Sequence, residues 1–236
     1  MRKQLLALAG IAGVGGFLIS APASNAATVV NFGWAMGGSV TAVGSTNQAV
    51  PGADGVSAVS AGTWSFNAGA SGGPGFADSD TLNLASSSGG TLDVLVTFSG
   101  ITQPLSAVQG YLASYTLNSV SGGTATVTLN TYLDSGNTAL PLSAAAIPGV
   151  LLSTATLSTL STDVVSGAAN TGPGPYAITE EFIITTTGAT TTQASIDLTA
   201  TPLPGALSLF GGGLGVLGLL ARRRKQKGLT ARSAIA

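Results

Sequence analysis

Between residues 27 and 201, apolar and polar side chains alternate with a period of two far more than with a period of 3.6, as strands with one buried face do. Leu92, Val94, Val96 and Phe98 alternate with Asp93, Leu95 and Thr97, and Ala125, Val127, Leu129 and Thr131 alternate with Thr126, Thr128, Asn130 and Tyr132. Tyr111, Ala113, Tyr115 and Leu117 make a comparable face just upstream, and Ser121-Gly122-Gly123 supplies the reversal between the two. Toward the end, residues 176–186 and 193–200 read as a hairpin around Thr187-Gly188-Ala189. Earlier strands are predicted at residues 30–36, 39–43, 63–66 and 80–84.

Thr and Val enrichment favours strands, and no 12-residue window carries a helical stripe. Glycine-rich breaks at residues 69–75, 86–90 and 171–175 read as loops. About nine or ten antiparallel strands predict one all-β domain over residues 27–200, an antiparallel β-sandwich or jelly-roll-like fold. A segment of that size buries a core without disulfides, and the chain has no Cys to form them.

Both ends depart from this pattern. Arg2 and Lys3, an apolar run from Leu5 to Ile19 and small residues ending in Ser24-Asn25-Ala26 make residues 1–26 a signal peptide for signal peptidase, with cleavage expected after Ala26. Residues 203–221 are apolar and uncharged, and Arg222, Arg223, Arg224, Lys225 and Lys227 follow at once. A helix over about 204–221 would cover roughly 27 Å, close to the hydrocarbon thickness of a bilayer. The basic cluster would then lie on the cytoplasmic side and the β domain on the other.

Pro202, Leu203, Pro204 and Gly205, the apolar span and the basic cluster together resemble the PEP-CTERM sorting signal of Gram-negative bacteria, in the variant whose motif reads V-P-L-P-A. Thr201 stands where that motif has Val, and Gly205 where it has Ala. The resemblance covers residues 201–227, leaving a tail at 228–236. It implies transient residence in the inner membrane, cleavage by an exosortase, and delivery of the β domain to the cell surface or extracellular matrix, the setting of a biofilm. It carries no implication for what that domain does.

Charge narrows the chemistry. Of eight Lys and Arg residues, none lies between 27 and 201, whereas all nine carboxylates do, and the chain has no His. Nucleic-acid binding therefore lacks its main source of affinity. Thiol and imidazole nucleophiles and Cys or His zinc sites are excluded too. Asp78 and Asp80, after a glycine-rich stretch, offer a weak D-x-D calcium site or merely a solvated turn.

Glu180 falls between Ile178 and Phe182 on the apolar side of its strand, with Glu181 on the other side. Adjacent strand residues cannot flank one glycosidic bond, so a hydrolase would need a second acid from elsewhere, such as Asp197 on a neighbouring strand. An inward charge on an edge strand more often blocks sheet-to-sheet aggregation. Trp34, Trp64, Tyr111, Tyr115, Tyr132 and Tyr176 would form a sugar-stacking platform only if several shared an open face; otherwise they build the core. Tyr132 is the best-exposed candidate.

These features lead to the expectation of a non-enzymatic structural or interaction protein of the cell surface or matrix, without a catalytic residue or cofactor. The alternative is a carbohydrate-binding module of the exopolysaccharide matrix, with extracellular polysaccharide as its partner. A carboxylate-dependent hydrolase ranks third.

Overall fold

The computed structural model describes residues 28–48, 53–73, 76–102, 109–172 and 174–201. The signal-peptide segment, the motif from Pro202 to Gly205, the apolar span, the basic cluster from Arg222 to Lys227 and the tail lie outside the described residues. No described helix is long and apolar enough to cross a membrane.

Period-two alternation gives each strand one apolar face, which must be buried against a second sheet. Among the described residues this produces two six-stranded antiparallel sheets, 12 strands in all. The first sheet runs β2 (Thr41–Gln48), β1 (Thr28–Ala35), β6 (Gly90–Ile101), β11 (Tyr176–Thr186), β8 (Ala125–Asp134), β9 (Val150–Leu157). The second runs β10 (Ser161–Ala169), β7 (Gln109–Ser121), β12 (Thr190–Thr201), β5 (Phe76–Ser86), β4 (Trp64–Gly73), β3 (Ala53–Ala61). Strands β5 to β12 pass between the sheets at almost every connection, giving the orders β6-β11-β8-β9 and β5-β12-β7-β10 with jelly-roll winding. The first four strands widen this roll by two on each sheet.

The core lies between the sheets. Val94, Val96, Phe98, Leu129 and Phe182 from the first meet Phe66, Leu82, Tyr115, Leu117 and Ile196 from the second, all at most 2% exposed. One polar crossing is fully hydrogen-bonded: Tyr115 Oη on β7 lies 3.0 Å from Thr131 Oγ1 on β8 and 2.6 Å from Ser153 Oγ on β9. At the β9/β10 seam the sheets close so tightly that a Cβ on Gly167 would sit 2.3 Å from the Leu152 carbonyl oxygen.

Three expectations need correction. Strands β3, β9 and β10 were not anticipated; all three are edge strands, whose exposure on several sides blurs the alternation. The stretch 69–73 continues β4 instead of forming a loop. Strands β11 and β12 are not a hairpin: the chain changes sheet between them, so Asp197 lies in the other sheet from Glu180.

The connection from β8 to β9, residues 135–149, folds back over the outside of the first sheet as a strap. Asp134 anchors its start by accepting from Gly136 N at 2.8 Å and Thr138 N at 2.9 Å. Asn137 Oδ1 accepts from Gly100 N at 2.7 Å, near the end of β6, and Val40 N donates to Leu142 O at 3.0 Å. Side chains of Leu140 and Val40 sit directly over Gly33. The outward-facing Leu95 and Thr97 of β6 are consequently fully buried. With one sheet partly roofed in this way, the second sheet offers the broader open face among the described residues.

Candidate functional site

On the outer face of the second sheet, a groove of about 590 Å³ crosses β3, β4, β5, β12 and β7. Antiparallel register builds its polar rows. Asn67 pairs with Asn83, Asn83 with Gln193 and Gln193 with Ser119, so three amides and a hydroxyl line up across four strands. A second row runs Ser60, Ser65, Ala85, Thr191, three hydroxyls interrupted by one methyl. Each of the three amides is flanked along its strand by buried residues: Asn67 by Phe66 and Ala68, Asn83 by Leu82 and Leu84, Gln193 by Thr192 and Ala194. Core packing therefore holds the strand segments that present the polar rows.

The groove wall at β3 is strained. Ala58 has φ +53°, in the left-handed region that L residues adopt at a cost, at an irregularity in the β3/β4 pairing. Its N–H donates to Asn67 Oδ1 at 2.7 Å, which fixes the orientation of that amide. Among the described residues, Asn83 and Gln193 have no side-chain hydrogen bond within the domain and keep their full donor and acceptor capacity. A shallower recess beside Trp64, Ser86 and Ser87 shares Ser60, Ser65 and Ala85 with the groove.

Among the described residues, no titratable side chain lines the groove. The described polar side chains of the groove are neutral amides and hydroxyls, suited to hydrogen bonding with a polyhydroxylated surface.

The acidic candidates are dispersed. Asp78 and Asp197 pair in register on this same outer face, four residues along β12 from Gln193. The side chain of Asp80 lies outside the described residues, and among the described ones no three acidic groups gather as metal ligands. Glu180 is fully buried between the sheets, where Ser79 Oγ donates to its Oε2 and no hydrogen-bond partner meets its Oε1. Burial pushes its carboxyl well above the usual range, and Asp78 and Asp197 push in the same direction. Because β11 is an interior strand, Glu180 is no edge-protecting charge.

Glu181 is on the opposite face, accepting from Asn130 Nδ2 at 2.8 Å and Tyr132 Oη at 3.2 Å. Burial raises its carboxyl, and burial followed by the Glu181 charge pushes the Tyr132 phenol up to about 12. Glu180 and Glu181 thus point to opposite sides of one strand and flank no common cleft. Trp64, Tyr111, Tyr115 and Tyr176 are buried, Trp34 packs against the core and Tyr132 is half-buried, so the described aromatics form no open platform.

Asn67, Asn83 and Gln193 were not singled out from the sequence. Their local signal is a polar amide between inward residues, but their alignment joins β4, β5 and β12 from distant parts of the chain.

No family model matches the chain, and no curated protein matches it. Among solved structures, similarity extends to TmCBM61 in complex with β-1,4-galactotriose, at 11% identity and TM-score 0.32, covering 51% of this chain and 70% of that one. The enzymatically active domain of bacteriophage CBA120 tailspike protein 4 aligns at 9% identity and TM-score 0.29, over 59% and 20%. The Arthrobacter globiformis T6 isomalto-dextranase complexed with panose aligns at 17% identity and TM-score 0.28, over 74% and 33%. Similarities this distant assign neither ligand nor activity to the chain.

Proposed function

We propose that this chain is an exported, non-catalytic β-sandwich that binds neutral polysaccharide through the outer face of its second sheet. The observation supporting this reading is the neutral amide and hydroxyl groove on a face that the strap leaves open. Hydroxyl-rich ligands need many donors and acceptors held in fixed positions, and the rows through Asn67, Asn83 and Gln193 present them on a rigid support. An anionic polymer gains nothing there, since the β domain has no Lys or Arg and its carboxylates repel negative charge.

Affinity electrophoresis of the full-length protein through gels containing neutral glucans, galactans or a polyuronate tests this. A neutral polymer should retard it, and Asn83→Ala with Gln193→Ala should restore most of the mobility. Equal retardation by the polyuronate, or none by any neutral polymer, would remove the proposal.

The sorting-signal resemblance adds a location. In a host with an exosortase, the surface protein is expected to have lost Arg222 to Lys227, and mass spectrometry of its C-terminal peptide checks this directly. Recovery of the basic cluster on surface-exposed protein would refute exosortase processing while leaving the sugar-binding reading to its own test.

A further inference from the structure

Resting on the polysaccharide-binding reading, we propose that the groove takes an extended β-1,4-linked neutral glycan lying across the strands, with about one sugar unit per step between neighbouring strands. The groove meets five strands, and neighbouring strands in a sheet are about 4.8 Å apart, so its long dimension is roughly 19 Å. The in-register amides of Asn67, Asn83 and Gln193 repeat at that same strand spacing. It is close to the length of one pyranose unit in an extended chain. Along a strand, outward residues recur only at about 6.6 Å, and the next outward positions lead toward the acidic pair Asp78 and Asp197. Both spacing and charge therefore favour the crosswise direction.

Asn67 sets the polarity at one end. Its Oδ1 already accepts the Ala58 N–H and keeps one lone pair, whereas both Nδ2 hydrogens are uncommitted, so this position chiefly donates and favours an acceptor oxygen of the ligand. The left-handed backbone at Ala58 is what brings its N–H onto that oxygen. Asn83 and Gln193 remain free to give or accept at the adjoining units.

Isothermal titration of the full-length protein with cello-oligosaccharides of two to six units, alongside malto-oligosaccharides of equal length, tests the geometry. Affinity should climb to about four units and then level off, and the curved malto series should bind at least tenfold more weakly. Asn67→Asp keeps the acceptor for Ala58 and removes the donor; it should cut cello-oligosaccharide affinity about tenfold with an unchanged melting temperature. Thr199→Ala, on the same face beyond the groove, should leave affinity unchanged. A plateau at two units, equal binding of both series, or an unaffected Asn67→Asp variant would overturn the crosswise assignment. Failure of both series in a protein still retarded by neutral polymer gels would overturn it as well, without touching the broader reading. Failure in both experiments would remove that reading too.

Discussion

Glu180→Gln should flatten the fall in stability that the domain otherwise shows as pH rises. Glu180 is fully buried, the stretch from 27 to 201 has no cation to pair with it, and desolvation, reinforced by Asp78 and Asp197, raises its carboxyl well above the ordinary 4.5. A folded-state pKa above the unfolded value means that the native protein holds a proton that the unfolded chain releases. The resulting stability is fully present below about pH 4.5 and is lost as pH climbs through the folded value, at about 1.4 kcal/mol per pH unit between the two. Asp93 and Glu181, also raised by burial, add smaller contributions of the same sign, whereas Asp134, lowered by its hydrogen bonds to Thr138 and Gly136, acts oppositely at acid pH.

Gln cannot ionise, yet it places an extra N–H donor in the core, at a cost of about 1–3 kcal/mol if unpaired. The two stability curves should therefore cross: wild type more stable near pH 5, Glu180→Gln more stable in alkali. Urea melts between pH 4 and 10 measure this, and parallel curves would show that Glu180 ionises freely in the folded protein.

Gly149→Ala is expected to release the end of the strap. Gly149 has φ +101°, and a Cβ there would lie 2.2 Å from the Leu133 carbonyl oxygen and 2.8 Å from Asp134 Cα, both backbone atoms of the paired strand that cannot swing aside. The conformational penalty alone is about 1–2 kcal/mol, and the backbone clash should bring the total to about 4 kcal/mol. At about 2–4 °C per kcal/mol for a domain of this size, the melting temperature should fall by roughly 10 °C.

Gly37→Ala is the matched control: its φ is +79° but nothing lies within 4 Å of the added Cβ, so only the conformational penalty applies. Amide exchange should also quicken at Gly100, whose N–H bonds to Asn137 within the strap. Equal destabilisation by the two substitutions would mean that the strap does not meet β8 this closely.

Strand identity was largely a local matter. The runs around Leu92, Tyr111, Ala125 and Tyr176 needed only the two-residue repeat of side-chain direction to declare themselves, and the same repeat put Glu180 inward among Ile178 and Phe182. Absence of Lys, Arg, His and Cys from residues 27–201 was equally plain, and with it the lack of the side chains on which phosphate neutralisation and thiol or imidazole chemistry draw. Edge strands β3, β9 and β10 stayed hidden because an edge imposes weaker demands on which residues face the core.

Partner choice required the tertiary structure. Thr187-Gly188-Ala189 looks alike whether it closes a hairpin or carries the chain to the other sheet, since both need the same reversal; the inter-sheet core decides. That decision places Ser79 against Glu180, makes β11 an interior strand and separates Asp197 from Glu180. It also aligns Asn67, Asn83 and Gln193, which lie far apart in the chain and carry no mutual signal until β4, β5 and β12 pair in register. Alternation is a property of neighbours along one strand, whereas a binding row is a property of neighbours across strands, and only long-range pairing creates the second.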